Sequence, residues 1–178
     1  MAHLPKQLRA MKRVLILLLA LMPVLASAQS FIEADETTAL GRIVTTKPAI
    51  LIADNNIYGI QFAYTKINDA EVYAVDVTFY AKESMWEIEP NTLGLFTMAS
   101  GECIILETHT ASRYNRTSAG YNISALFIIP EDKLSPMLDA LIRLTIITKS
   151  KTFEVPIDHD NASILMLSYL ELLSKTGK

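Results

Sequence analysis

The chain has 178 residues, about half of them hydrophobic, with 16 basic and 19 acidic side chains and a formal net charge of −3. Four of the basic residues (Lys6, Arg9, Lys12, Arg13) precede residue 28 and no acidic residue does, so the following 150 residues carry twelve basic against nineteen acidic groups, a net charge of −7. That balance, with charges scattered along the chain, argues against nucleic acid and anionic membrane surfaces as partners, since both reward clustered Lys and Arg.

The first 28 residues read as a secretory signal peptide. Lys12 and Arg13 are followed by an apolar run over 14–25, broken only by Pro23, and then by Ala26-Ser27-Ala28. A basic start, a short apolar core and small residues at an A-x-A end are what a signal peptidase needs. The run is shorter than the roughly 20 residues of a bilayer-crossing helix. Cleavage is expected after Ala28, giving a mature chain that starts at Gln29, sits in the periplasm or outside the cell, and has no membrane span. No cysteine lies near the boundary, so lipidation there is not expected.

Residues 29–40 are polar and acidic, with Glu33, Asp35 and Glu36 and no clear period, and are expected to be a flexible mature N-terminus. A single β-rich domain is expected over 41–178. Strands are expected over 42–46 and 49–53, with Lys47-Pro48 between them at an edge or bend, because proline removes a ladder donor. Tyr58, Ile60, Phe62 and Tyr64 then alternate with Gly59, Gln61, Ala63 and Thr65. After an Asn68-Asp69 turn, Tyr73, Val75, Val77 and Phe79 alternate with Ala74, Asp76, Thr78 and Tyr80. This period of two is the mark of strands with one buried face. Trp86 and Ile88 follow, then a Pro90-Asn91 turn, a run over 92–98, a Ser100-Gly101 turn and a run over 103–108. Such short turns join antiparallel neighbours.

The interval 109–119 is the one long polar stretch and is expected to be a mobile loop. Alternation returns with Tyr121, Ile123, Ala125 and Phe127. Pro130-Glu131-Asp132 looks like a helix start, with Leu134, Leu138 and Leu141 on one face and Pro136 placing the proper beginning at Ser135. Strands follow over 143–148 and 152–157. Asp160 or Asn161 should cap a last helix carrying Leu165, Tyr169, Leu172 and Leu173 on one stripe, with Ser168 and Glu171 opposite. The expected fold is mainly β with two helices (α+β): nine or ten antiparallel strands in a sandwich or strongly curled sheet, with the C-terminal helix packed on it.

Chemistry is sparse. Cys103 is the only cysteine, so no intrachain disulfide can form, and in a strand-like run it is expected to be a small buried hydrophobe, shielded from thiol reagents. Asp158-His159-Asp160 adjoin, but neighbours in an extended segment point opposite ways and rarely share an ion, and the calcium-loop glycine and distal glutamate are missing. No metal or cofactor is implied. There is no G-x-S-x-G elbow or phosphate-cradling glycine loop. Glu87 and Glu89, two residues apart in an extended run, could flank a sugar bond, which keeps a carbohydrate hydrolase as an alternative. Trp86 beside them could serve as a sugar platform. Asn115-Arg116-Thr117, Asn122-Ile123-Ser124 and Asn161-Ala162-Ser163 match the glycan acceptor pattern, which matters only in a eukaryotic secretory pathway.

The best binding candidates are Arg113, Tyr114, Asn115, Arg116 and Tyr121, with Trp86. They combine cationic, hydrogen-bonding and aromatic groups suited to a protein or carbohydrate ligand. Their absence of catalytic pattern points to a non-catalytic binding or interaction protein, with a structural or assembly role as a further alternative. The order of turn-punctuated strands, then Tyr121-Asn122-Ile123-Ser124-Ala125, Pro130-Glu131 and Ile142-Arg143-Leu144-Thr145, resembles small exported bacterial β-rich proteins of unknown function over residues 50–173. That resemblance implies an envelope or secreted location and no catalytic residue.

Overall fold

In a computed structural model of the chain the described residues are 30–53, 56–81, 88–110, 113–117, 120–149 and 151–178, with the backbone alone at 81 and 113–117. The expected signal segment and Trp86 and Glu87 lie outside them. Among the described residues there are eleven strands in two antiparallel sheets, and one long helix. The larger sheet contains β1 (Ile32–Thr38), β2 (Gly41–Thr46), β3 (Ala49–Ala53), β4 (Asn56–Ile67), β5 (Ala70–Ala81), β8 (Arg113–Thr117) and β9 (Gly120–Ile129). Its order is β1-β2-β4-β5-β9-β8, with β3 also paired to β4. The smaller sheet runs β11 (Thr152–Pro156), β10 (Leu141–Ile147), β6 (Leu93–Met98), β7 (Cys103–Glu107). The helix, α1, is His159–Thr176.

The alternation read from the sequence sets the core. Tyr58, Ile60, Phe62 and Tyr64 of β4, Tyr73, Val75, Val77 and Phe79 of β5, and Ile123, Ala125 and Phe127 of β9 are buried and point one way. Two layers cover this inner face. The small sheet covers the β5/β9 side, where Phe79 meets Phe153 at 5.8 Å between ring centroids and Phe96 meets Phe127 at 5.6 Å. Gly94 makes the second contact possible, because a Cβ there would lie 2.7 Å from the Phe127 ring. Helix α1 covers the other side: Tyr169 lies on Phe62, 4.8 Å between centroids, and Thr176 Oγ1 meets the Tyr73 hydroxyl at 2.8 Å. The fold is thus a β-sandwich with the helix completing its second layer.

Lys47-Pro48 splits one edge of the large sheet in two, as proline there requires. β2 pairs with Ala63 to Lys66 of β4, and β3 with Asn56 to Ile60. The buried Thr46 hydroxyl fills the gap, accepting the Phe62 N–H at 2.9 Å. Asn68 and Asn91 take left-handed backbone conformations at the expected turns, a geometry asparagine tolerates.

Several expectations are corrected. Residues 32–38 form β1 instead of a flexible tail, because β2 offers a ladder to pair with and the Asp35 carboxylate takes two 2.9 Å hydrogen bonds from Arg42. The polar interval 109–119 contains β8, paired with β9. The helix expected from residue 135 is replaced by two 3₁₀ turns, Glu131–Lys133 and Pro136–Leu138, and Leu141 already opens β10. Pro136 cannot donate the bond that would fuse the turns into one α-helix. The cap of α1 is Asp158, whose carboxylate accepts the Asn161 N–H at 2.8 Å. Ser168 belongs to the buried face, its hydroxyl satisfied by the Ile164 carbonyl at 2.6 Å. Cys103 is exposed, since Ile104 and Leu106 take the inward positions of β7.

Candidate functional site

Register brings most of the sequence-derived candidates to one hairpin. Arg113 stands opposite Ser124, Tyr114 opposite Ile123, Asn115 opposite Asn122 and Arg116 opposite Tyr121. The short polar stretch becomes a strand because tyrosine and threonine favour extended backbone, and because an edge strand open to solvent needs no apolar alternation. Trp86, the remaining candidate, lies outside the described residues.

The hairpin continues the outer face of the large sheet. One row across the strands runs Ile52, Ile57, Tyr80, Asn122, Asn115, and the next runs Ile50, Gly59, Thr78, Ser124, Arg113. Beside them Gln61 donates to Asp76 at 3.2 Å, and Thr78 and Ser124 share a 3.1 Å hydrogen bond. The Asn122 side-chain oxygen is buried and, among the described residues, has no hydrogen-bond partner. The β3 end of these rows is apolar and open: Ile52 is 77% exposed, Ile50 50% and Ile57 43%, with Tyr80 at 42%. Sequence reading missed these isoleucines because the run 49–53 is apolar throughout. The signal was there: a strand with no polar face must expose apolar groups if only one side is core.

Elsewhere several titratable groups are already engaged. A cleft of about 290 Å³ lies between Asp69, Glu71, Tyr73, Ile129, Glu131, Leu134 and Lys178. There Lys66 hydrogen-bonds Glu71 at 2.9 Å and holds its carboxyl below the usual range, while Lys178 reaches Glu131 at 3.0 Å. Burial pushes the adjacent Tyr64 phenol up. These are ion pairs that close a surface; none pairs a nucleophile with a base. Glu89, the described member of the Glu87/Glu89 pair, is ion-paired to Lys149. Asp158 is spent on the helix cap, with His159 and Asp160 in the first helical turn. Among the described residues no group of three metal-ligating side chains converges, and no helix is long and apolar enough to cross a membrane. Comparison of the chain with protein-family models, with curated proteins and with solved structures finds no match.

Proposed function

We propose that this chain is an exported, non-catalytic binding protein of the cell envelope or extracellular space. It takes a protein or carbohydrate partner on the outer face of its large sheet. The basic start, apolar run and Ala26-Ser27-Ala28 support export. The observation that carries the binding role is the join, on one face, of an open apolar cluster to polar rows. Ile50, Ile52 and Ile57 supply apolar area of the kind that marks interaction sites. Tyr80, Asn122 and Ser124, with Arg113 and Asn115 at the outer-face register positions of β8, supply directional contacts, the arginine being suited to carboxylate or hydroxyl groups.

The test uses exported protein immobilised and offered both the native envelope fraction and a panel of glycans. Wild type is compared with Ile52→Lys and with Arg113→Ser combined with Asn115→Ser, the two β8 positions in register with the outer-face rows. Both variants should keep the wild-type melting temperature and bind the wild-type partner more than about tenfold more weakly. Retention of that partner by both variants would refute the assignment of this face.

A further inference from the structure

Among the described residues the large sheet is open, and its two ends carry opposite charge. β1, of sequence IEADETT, ends one side, and β8, of sequence RYNRT, ends the other. Asp35 is held by Arg42, which leaves Glu33 and Glu36 exposed and, among the described residues, without an ion-pair partner. Arg113 and Arg116 lie on a strand whose neighbour β9, of sequence GYNISALFII, has no charged residue to offset them.

Charged side chains on edge strands are a usual device against edge-to-edge association. The device works against every copy only when all edges share one sign. Here like edges repel and unlike edges attract, so the pattern blocks β1–β1 and β8–β8 contacts and leaves β1–β8 favoured. Strand direction agrees. The path β1-β2-β4-β5-β9-β8 has six strands, each antiparallel to the next, so β1 and β8 run in opposite directions. A second copy continuing the sheet, with its inner face on the same side, therefore meets β8 with its own β1 antiparallel.

We propose that copies of this chain associate head to tail, β8 of one pairing with β1 of the next, so that their large sheets run on as one. The contact is heterologous, joining two different surfaces, and such contacts build rings or open filaments in place of two-fold dimers. β1 pairs beside the Thr65 and Lys66 end of β4, whereas β8 lies at the Tyr80 and Ala81 end of β5, so successive copies step along the strand direction. Main-chain hydrogen bonds supply the attraction, as in strand addition generally, and the charges choose the partner edge. The outer-face isoleucines take no part, so Ile52→Lys separates this association from the binding role proposed above, although both use β8.

Sedimentation velocity on protein purified from exporting cells tests it, over concentrations up to about 0.5 mM. Wild type should form species larger than dimers at low ionic strength, and raising salt from about 0.02 to about 0.5 M should weaken that association at least tenfold. Glu33→Lys with Glu36→Lys makes both ends basic; Arg113→Glu with Arg116→Glu makes both acidic. Each double variant should stay monomeric alone, and the two mixed should associate again, which also shows that both are folded. Ile52→Lys should associate as wild type does. A wild type that is monomeric throughout, an association that survives either reversal, or a mixture that stays monomeric would overturn the proposal.

Discussion

Tyr169 gives the sharpest test of how α1 is held. It is fully buried, its ring lies 4.8 Å from that of Phe62, and its hydroxyl donates to the Leu134 carbonyl at 3.1 Å. Tyr169→Phe keeps the ring and removes the donor, which should cost about 1 kcal/mol at neutral pH. Tyr169→Ala also empties the space on Phe62 and should cost about 3–5 kcal/mol. The hydroxyl has a second signature. Burial pushes the native phenol well above its usual value of 10.0. Above that value the unfolded state loses its proton while the native state keeps it, so the unfolded state binds fewer protons and stability falls as pH rises. The slope from one such group approaches about 1.4 kcal/mol per pH unit. Tyr169→Phe lacks this component, and the other tyrosines titrate alike in both proteins. The deficit of the variant should therefore shrink above pH 10 and close about one unit higher. Urea denaturation of both proteins at stepped pH measures this. Parallel stability curves through the alkaline range would mean that the phenol is hydrated and the packing of α1 on the sheet is misread.

Gly94→Ala puts a methyl group against the Phe127 and Phe96 rings and should lower stability by about 1–3 kcal/mol in chemical denaturation; an unchanged midpoint would mean the sheets are spaced more widely. Cys103, exposed on the outer side of β7, should label quickly with a thiol reagent in native buffer, and protection until denaturation would place it in the core. Asp158→Ala should lower the melting temperature followed by circular dichroism. The Asn161 N–H depresses the Asp158 carboxyl, so the cap's contribution is present above the ordinary value of 3.8 and is lost as pH falls through the depressed one; the gap between wild type and variant should narrow there. A gap that is independent of pH would mean that charge plays no part in the cap.

What the sequence made legible follows from where apolar periodicity exists. β4, β5 and β9 each have one buried and one open face, and their alternation names the core residues one by one. The stripe of α1 is equally plain. β1 and β8 were illegible for a common reason: strands at the ends of a sheet bury little, so nothing selects an alternating pattern, and polar residues read as loop. Cys103 illustrates a different limit. Residues 103–106 are apolar on both faces, so only pairing with Leu95 and Phe96 fixes which of them point inward. The candidate hairpin was legible as a group of residue types, and its extension into the isoleucines of β3 was not, because adjacency across five strands depends on register.

The position of α1 also sets the order in which the protein can fold. Its aromatic partners Phe62 and Tyr73 are made early in synthesis, and the helix that covers them is made last. The Phe31 N–H is held by the Glu171 carboxylate across 140 residues, so even the start of β1 waits for the end of the chain. Contacts of such separation form slowly, since the loop entropy is lost before the contact forms. A nascent chain therefore shows a half-covered sheet, with aromatic side chains open to water, until α1 has emerged. That delay suits the export proposed above, because a domain whose core cannot close while any part of α1 is missing stays threadable through a channel.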